Sequence, residues 1–381
     1  MYRTNFLTLL WMIVIGWGCA PALITHSNLE TPKLRLLDVH IIPHNFTYEN
    51  TLVGGLSGID YNPKTNQYYI ISDERSATSP ARFYTADIDI QNNKIASVNF
   101  TSVHTLKQAG GNTFPSIKEN AVRAADPESI RYNPVKNTLV WSSEGDKAVR
   151  NGAAVLQDPF VYEIDVKGNF LDSFLIPSHL RMKAGEAGPR TNGAFEGLTF
   201  DKKFNALYVS IEEPLFDDGP RADVDMPGAP VRITKFNTAT RKPIAQYAYL
   251  LDAVARKPLL ADAFRINGVP EILWYDEKKL LVMERSFTMG ILSSTIKIYL
   301  TDYSGATDVL NMASLTNKAA YQPMSKRLLL NSDSLNQFTD NIEGMTLGPR
   351  LANGNRSLIL IADNNFQKIQ KSQVFLFEVV E

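Results

Sequence analysis

Apolar and polar positions alternate along much of this chain in short runs, and the runs come in pairs. In ESIRYNPVKNTLVWSSEGD (128–146), Ile130 and Tyr132 alternate with polar neighbours, NPVKN reads as a turn, and LVWSS is a second β-rich run. Alternation around an Asn/Pro/Lys turn predicts an antiparallel hairpin, because successive strand side chains point to opposite faces. The same grammar recurs in SGIDYNPKTNQYYIISDER (57–75), EGLTFDKKFNALYVSIEEP (196–214), EILWYDEKKLLVMERS (271–286) and EGMTLGP…LILIADNNF (343–366). The five segments start at Ser57, Glu128, Glu196, Glu271 and Glu343, hence 71, 68, 75 and 72 residues apart. A period this regular marks a repeat architecture.

Further strand-like runs follow each hairpin. They are RFYTADID and VNFTSVHTL, FVYEIDV and FLDSFLIP, VRITKFNT and AQYAYLLD, then TIKIYLTD with a less clear partner. About four strands per repeat is the blade of a β-propeller. The last repeat has three strands, ending in QVFLFEVV (373–380), while KLRLLDVHIIP (33–43) stands unattached before the first. The expected fold is therefore all-β, a β-propeller over residues 33–381. Repeat count predicts five blades, or six if a long insertion conceals one, with the N-terminal strand joining the last blade to close the ring. Closure removes sheet edges that would otherwise template aggregation.

Each hairpin is bracketed by acids. Sixteen residues separate Glu128 from Glu144, Glu196 from Glu212 and Ser57 from Asp73, whereas Glu271 to Glu284 is 13 and Glu343 to Asp363 is 20. The two ends of a hairpin meet at one end of the sheet, so the brackets converge on one face around the channel. The expected inner ring is Glu128, Glu196, Glu271 and Glu343. Asp73, Glu74, Glu144, Glu212, Glu213, Glu284 and Asp363 form a second ring. So many carboxylates repel unless a positive charge sits among them. Calcium accepts mixed carboxylate, amide and carbonyl oxygens, and Asn192, Asn341, Asn364 and Asn365 flank the brackets. The expected metal ligands are Glu196, Glu343 and Asp363, with Glu128, Glu144 and Glu212 as further ligands or catalytic bases. Arg75 and Arg285 follow two closing acids, where they either neutralise the ring or grip an anionic substrate.

Other catalytic devices are poorly represented. GLSGI (55–59) has neither the spacing nor the following helix of a nucleophile elbow. His26, His40, His44, His104 and His179 all fall outside the brackets and form no close pair. Three polar excursions, 105–125, 181–193 and 216–230, lead into or out of brackets and are expected to fold over the same face. They carry Arg123, Arg190 and Arg221.

Charge narrows the partners. Lys and Arg total 39 against 40 Asp and Glu, a net charge of −1, without the basic excess a nucleic-acid partner requires. The N-terminus modifies the location. Residues 1–22 carry Arg3, an apolar run from Phe6 to Trp17 and then small residues, the layout of a secretory signal. Gly16-Trp17-Gly18-Cys19 resembles a lipoprotein processing site, which leaves an ordinary signal or a lipid anchor on Cys19 as the alternatives. Cys19 is the only cysteine, so the mature fold has no intrachain disulfide and no thiolate nucleophile.

SGIDYNPKTNQYYIISDER, DPESIRYNP, NGAFEGLTF, LYVSIEEPL and DNIEGMTLGPRL…LILIADNNF together resemble the phytase-like family described as "esterase-like activity of phytase". The resemblance spans nearly the whole mature chain and implies a secreted or envelope propeller that hydrolyses a phosphoester or carboxylester. Alkaline phytases, which are calcium-dependent propellers, are similar in general architecture. Gluconolactonase-like propellers are similar in placing a metal-binding Glu before Gly on an inner strand, a pair matched locally by Glu196-Gly197 and Glu343-Gly344. The expected function is a metal-assisted, extracytoplasmic hydrolase, monomeric, acting on a small anionic or ester substrate, with calcium as cofactor. The alternatives are a non-catalytic binding propeller or a metal-dependent lactonase. Any membrane contact is expected only through Cys19.

Overall fold

The computed structural model describes residues 31–150 and 152–381. The secretory signal and Cys19 lie outside the described residues.

Five four-stranded antiparallel sheets follow one another along the chain. From the inside outward, blade 1 is Leu56–Asn62, Gln67–Ser72, Arg82–Gln91 and Lys94–Thr105. Blade 2 is Pro127–Asn133, Thr138–Ser143, Phe160–Asp165 and Phe170–Ser173, and blade 3 is Phe195–Phe200, Ala206–Ile211, Pro230–Asn237 and Pro243–Leu250. In blade 4, Arg265–Asp276, Lys279–Thr288 and Thr295–Asp302 are joined by Ser325–Asn331, the partner that was least clear from pattern. Blade 5 runs Asn341–Arg350, Arg356–Asp363 and Ser372–Val380, and its fourth strand is Lys33–Ile42. That N-terminal strand pairs antiparallel with Ser372–Val380 from Lys33↔Val380 to Ile42↔Ser372. The propeller thus has five blades and closes as the pattern predicts. One element escaped the pattern, a hairpin of Asp146–Arg150 with Ala153–Gln157 between the second and third strands of blade 2.

The core lies between neighbouring blades. Ile59, Tyr68 and Ile70 of blade 1 pack against Ile359, Ile361 and Val374 of blade 5. Tyr69, Ile71 and Phe83 pack on the other side against Ile130, Leu139 and Trp141 of blade 2. Both faces of an inner strand are therefore covered, and Pro127–Asn133 and Phe195–Phe200 are buried at every position.

The glycine after the opening acid reflects how closely these strands approach. A Cβ on Gly197 would lie 2.6 Å from Ile272 N, and one on Gly58 would lie 2.8 Å from Ser129 Cα. Contacts that short are forbidden, so Gly58 and Gly197 leave room for the backbone of the next blade, while the same position in blades 2 and 4 carries Ser129 and Glu271.

The channel between the blades is plugged. Arg131 donates to the carbonyl oxygens of Leu198 (2.6 Å), Met345 (3.1 Å), Ile272 (3.2 Å) and Ile59. Its guanidinium also lies 2.7 Å from Glu271. One side chain from blade 2 thereby touches the innermost strand of every other blade.

Candidate functional site

Backbone pairing brings one acid bracket after another to the same mouth of the channel. The amide of each closing acid bonds a carbonyl two residues before the opening position: Asp73 N to Gly55 O (2.6 Å), Glu144 N to Asp126 O (3.0 Å) and Glu212 N to Ala194 O (2.8 Å). In blade 5 Asn341 pairs with Asp363, and in blade 4 Gly268 pairs with Arg285. The closing ring is therefore Asp73, Glu144, Glu212, Arg285 and Asp363. The opening ring is Ser57, Glu128, Glu196, Pro270 and Glu343.

This frame corrects the expectation for Glu271. It stands one residue further along its strand than Glu128, Glu196 and Glu343, in the place held elsewhere by Ser129, Gly197 and Gly344. There its carboxylate accepts from Leu198 N (3.1 Å), Ile272 N (3.0 Å) and Ser129 Oγ (3.1 Å) beside Arg131. Three more expected ring members turn away into ion pairs of their own. Glu74 pairs with Arg82, Glu213 with Arg221, and Glu284 with Lys326 at 2.7 Å.

A pocket of about 670 Å³ opens at this mouth. Among the described residues its lining holds eight carboxylic acids (Asp73, Asp126, Glu128, Glu144, Glu196, Glu212, Asp340 and Glu343) and two arginines, Arg75 and Arg285. Asn192, Asn341 and Asn365 also line it, whereas Asn364 is turned inward, where its Oδ1 accepts from Phe366 N (3.0 Å) and Gly55 N (3.2 Å). Asp363 sits behind the rim, its Oδ1 accepting from Asn365 N at 2.7 Å.

Both arginines are committed to carboxylates. Arg285 bridges Glu212 (2.6 Å) and Glu343 (3.1 Å), linking blade 3 to blade 5. A Cβ on Gly268 would lie 2.5 Å from Glu212 Cγ, so this glycine leaves the room in which Glu212 meets Arg285. Arg75 lies 2.9 Å from Asp146 and 3.5 Å from Asp126, tying blade 1 to blade 2. The positive charges thus stand at the flanks.

The acids between them are packed closely. Oxygens of Asp73, Asp126 and Glu128 lie within 4.8 Å of one another, and so do those of Glu128, Glu144 and Glu196. Glu128 belongs to both triplets. Ala194 N donates to Glu144 at 3.0 Å, but among the described residues no hydrogen bond or ion pair reaches the carboxylates of Glu128 and Glu196. Burial first, and then the neighbouring carboxylates, push Asp73, Glu128, Glu144 and Glu196 well above the usual carboxylate range. Burial likewise raises Glu343 to about 8 against the pull of Arg285, and Asp363 to about 6. Glu343 Oε2 is buried without a hydrogen-bond partner, while Oε1 accepts from Asn341 Nδ2 at 2.9 Å.

The walls come from a strand end and two loops, and of their residues only Asn365 stands among those expected from the sequence. Phe287, Gly290, Ile291, Leu292 and Ser294 supply one side, and Asn365, Gln367, Ile369 and Gln370 another. Of the three excursions expected over this face, only 181–193 contributes, through Asn192. Arg123 reaches Gln108, Arg190 donates to the carbonyls of Pro214 and Gly219, and Arg221 pairs with Glu213. Asp126, which completes the first triplet, was also passed over. Its counterparts are Gly55, Ala194, Gly268 and Asn341, so no other blade carries an acid there.

Solved structures resemble this one at the level of the fold. An α-L-arabinofuranosidase from Lactobacillus brevis matches with a TM-score of 0.45 and 11% identity, covering 87% of this chain and 92% of that one. A gluconolactonase from Xanthomonas campestris matches with a TM-score of 0.36 and 10% identity over 84% and 71% of the two chains. A β-propeller domain from Myceliophteria thermophila has a TM-score of 0.36 and 9% identity over 92% and 100%. Likenesses this distant carry no information about chemistry. No curated protein sequence matches the chain. The model of the Phytase-like family, described as "Esterase-like activity of phytase", matches residues 51–366, and the chain belongs to that family.

Proposed function

We propose that this protein is a metal-dependent hydrolase of a carboxylic or phosphate ester, with its active site in the acidic pocket. The observation that carries the reading is that Glu128 belongs to two carboxylate triplets while its own carboxylate meets no cation or hydrogen-bond donor among the described residues. An all-oxygen set of this density, flanked by amide oxygens, suits a hard divalent ion. Asp73, Asp126, Glu128, Glu144 and Glu196 would hold it, and calcium is the proposed ion. When bound, calcium polarises a carbonyl or phosphoryl oxygen and makes a bound water more acidic.

The chain's own groups do the rest. In hydrolysis the water oxygen bonds to carbon or phosphorus while the ester bond to the alcohol breaks. One water proton passes to a carboxylate of the Glu128, Glu144 and Glu196 group. The departing alkoxide takes the proton of Glu343, whose pKa of about 8 keeps it protonated at neutral pH. Arg285 and Asn341 hold that side chain in place through Oε1 and leave Oε2 without a partner. Arg75 and Arg285 act in this reading as braces between blades, since carboxylates already occupy their guanidinium groups.

Location follows from the leader: the protein is exported, acts as a monomer on a small ester, and touches a membrane only if Cys19 is lipidated. Among the described residues no helix is long and apolar enough to cross one. The test is to assay purified mature protein on aryl esters, aryl phosphates, lactones and phytate, with calcium or with a chelator. Calcium-dependent turnover supports the reading. Absence of turnover on all of them, with a melting temperature indifferent to chelation, sinks it.

A further inference from the structure

The pocket has two unlike sides. Blades 1 to 3 contribute six of the eight acids, whereas blades 4 and 5, besides Asp340 and Glu343, contribute Phe287 at the end of a strand and Ile291, Leu292 and Ile369 from loops. Leu292 is 81% exposed and Ile369 74% exposed. The apolar surface continues outward. Met289 N bonds Phe264 O (2.8 Å), the rings of Phe264 and Phe287 lie 6.3 Å apart, and Leu259, next to Gly290, is 82% exposed. The 364–371 loop is fastened in place: Asp340 accepts from Lys371 N (2.8 Å) and Gln370 Nε2 (3.2 Å). Open apolar surface of this extent, continuous with a cavity, marks a place where something apolar docks.

We infer that the pocket takes an ester or phosphate ester with at most one charged group and a hydrocarbon part lying along Phe287, Leu292 and Ile369, and that it discriminates against polyphosphates. The inference rests on the proposed hydrolase site and names its substrate class. Charge supports it from the other side. Eight acids face two arginines that already carry carboxylate partners, so even two divalent cations leave no positive surplus to hold a polyanion. An apolar wall offers such a ligand only desolvation without compensation. A hydrocarbon chain gains there instead, by about fourfold per methylene when fully buried and less against a half-open wall.

The test is calorimetric binding of methylphosphonate, hexylphosphonate and inositol hexasulfate to calcium-loaded mature protein, with turnover of p-nitrophenyl acetate and hexanoate measured in parallel. Hexylphosphonate should bind at least about tenfold tighter than methylphosphonate, and the hexasulfate no tighter than methylphosphonate. In the double variant Leu292→Asn, Ile369→Asn, at two exposed positions and without added charge, the ratio of hexylphosphonate to methylphosphonate affinity should collapse. Binding indifferent to chain length, preference for the hexasulfate, or no phosphonate binding overturns the inference. Turnover without chain-length dependence leaves the hydrolase standing and removes the substrate class. Length-dependent binding with no turnover of any ester does the reverse.

Discussion

Arg131 and Glu271 form a 2.7 Å ion pair where the five innermost strands meet, and both side chains are almost wholly buried. Arg131 also satisfies carbonyls of four other blades. Arg131→Met keeps the bulk but strands Glu271 and those carbonyls. Removing one member of a buried pair costs about 3–5 kcal/mol, so the urea midpoint of this variant should fall by a corresponding amount. A loss below about 1 kcal/mol would show that the plug is not what locks the ring.

Glu128→Gln should move stability and metal binding in opposite directions. Without calcium and at alkaline pH, where the raised carboxyls of the cluster ionise, the variant carries one like charge fewer, so the melting temperature should rise. With calcium, a ligand common to both triplets is weakened, and affinity should fall by about tenfold or more. Thermal melts in chelator and in calcium check both halves. A variant that is less stable in chelator contradicts the reading of Glu128 as an unneutralised acid.

Stability without calcium should run against the usual pH trend. Glu343 moves from an ordinary 4.5 to about 8 and Asp363 from 3.8 to about 6. The folded chain therefore binds more protons than the unfolded chain between those limits, and stability falls as pH rises. The contribution is complete below about pH 4 and is lost through pH 6 to 8. In chelator the melting temperature should drop between about pH 5 and pH 8, and Glu343→Gln should flatten the upper part of that drop. A constant or rising melting temperature would sink the claim that these carboxyls are held protonated.

Glu343 as proton donor makes a leaving-group prediction. Glu343→Gln should lower kcat by roughly 10²–10⁴-fold on an alkyl ester, whose alkoxide needs a proton, and much less on a p-nitrophenyl ester. Equal losses on both would assign Glu343 to binding or folding.

Much of this is legible in the sequence. The hairpin grammar around Ile130 and Tyr132 and its recurrence every 68 to 75 residues specify the blades, and unattached Lys33–Ile42 specifies the closure. Glu128, Glu144, Glu196, Glu212 and Glu343 reach one pocket because paired strand ends must share a face. Blade 4 misleads because EILWY matches ESIRY by residue type while its register is one residue out of step. The shorter bracket of 13 residues is the trace of that slip, and it puts Arg285 where the other blades carry an acid. Asp126 is recognisable only through the bond from Glu144 N, which no residue pattern encodes. The wall of Leu292 and Ile369 is hidden for another reason: apolar residues in a loop look like strand or core until the fold leaves them in the open, beside half-buried Phe287 at a strand end.

The central claim is that the Glu128 cluster holds a catalytic divalent ion, and a calcium titration of kcat/KM on an aryl ester or phosphate tests it most directly. Chelated protein should be inactive, and activity should rise with a single calcium dissociation constant matching the calorimetric one. Glu128→Gln should shift both constants together while keeping its fold. Equal turnover in chelator and in calcium, or an activity curve unmoved by Glu128→Gln, would contradict the account.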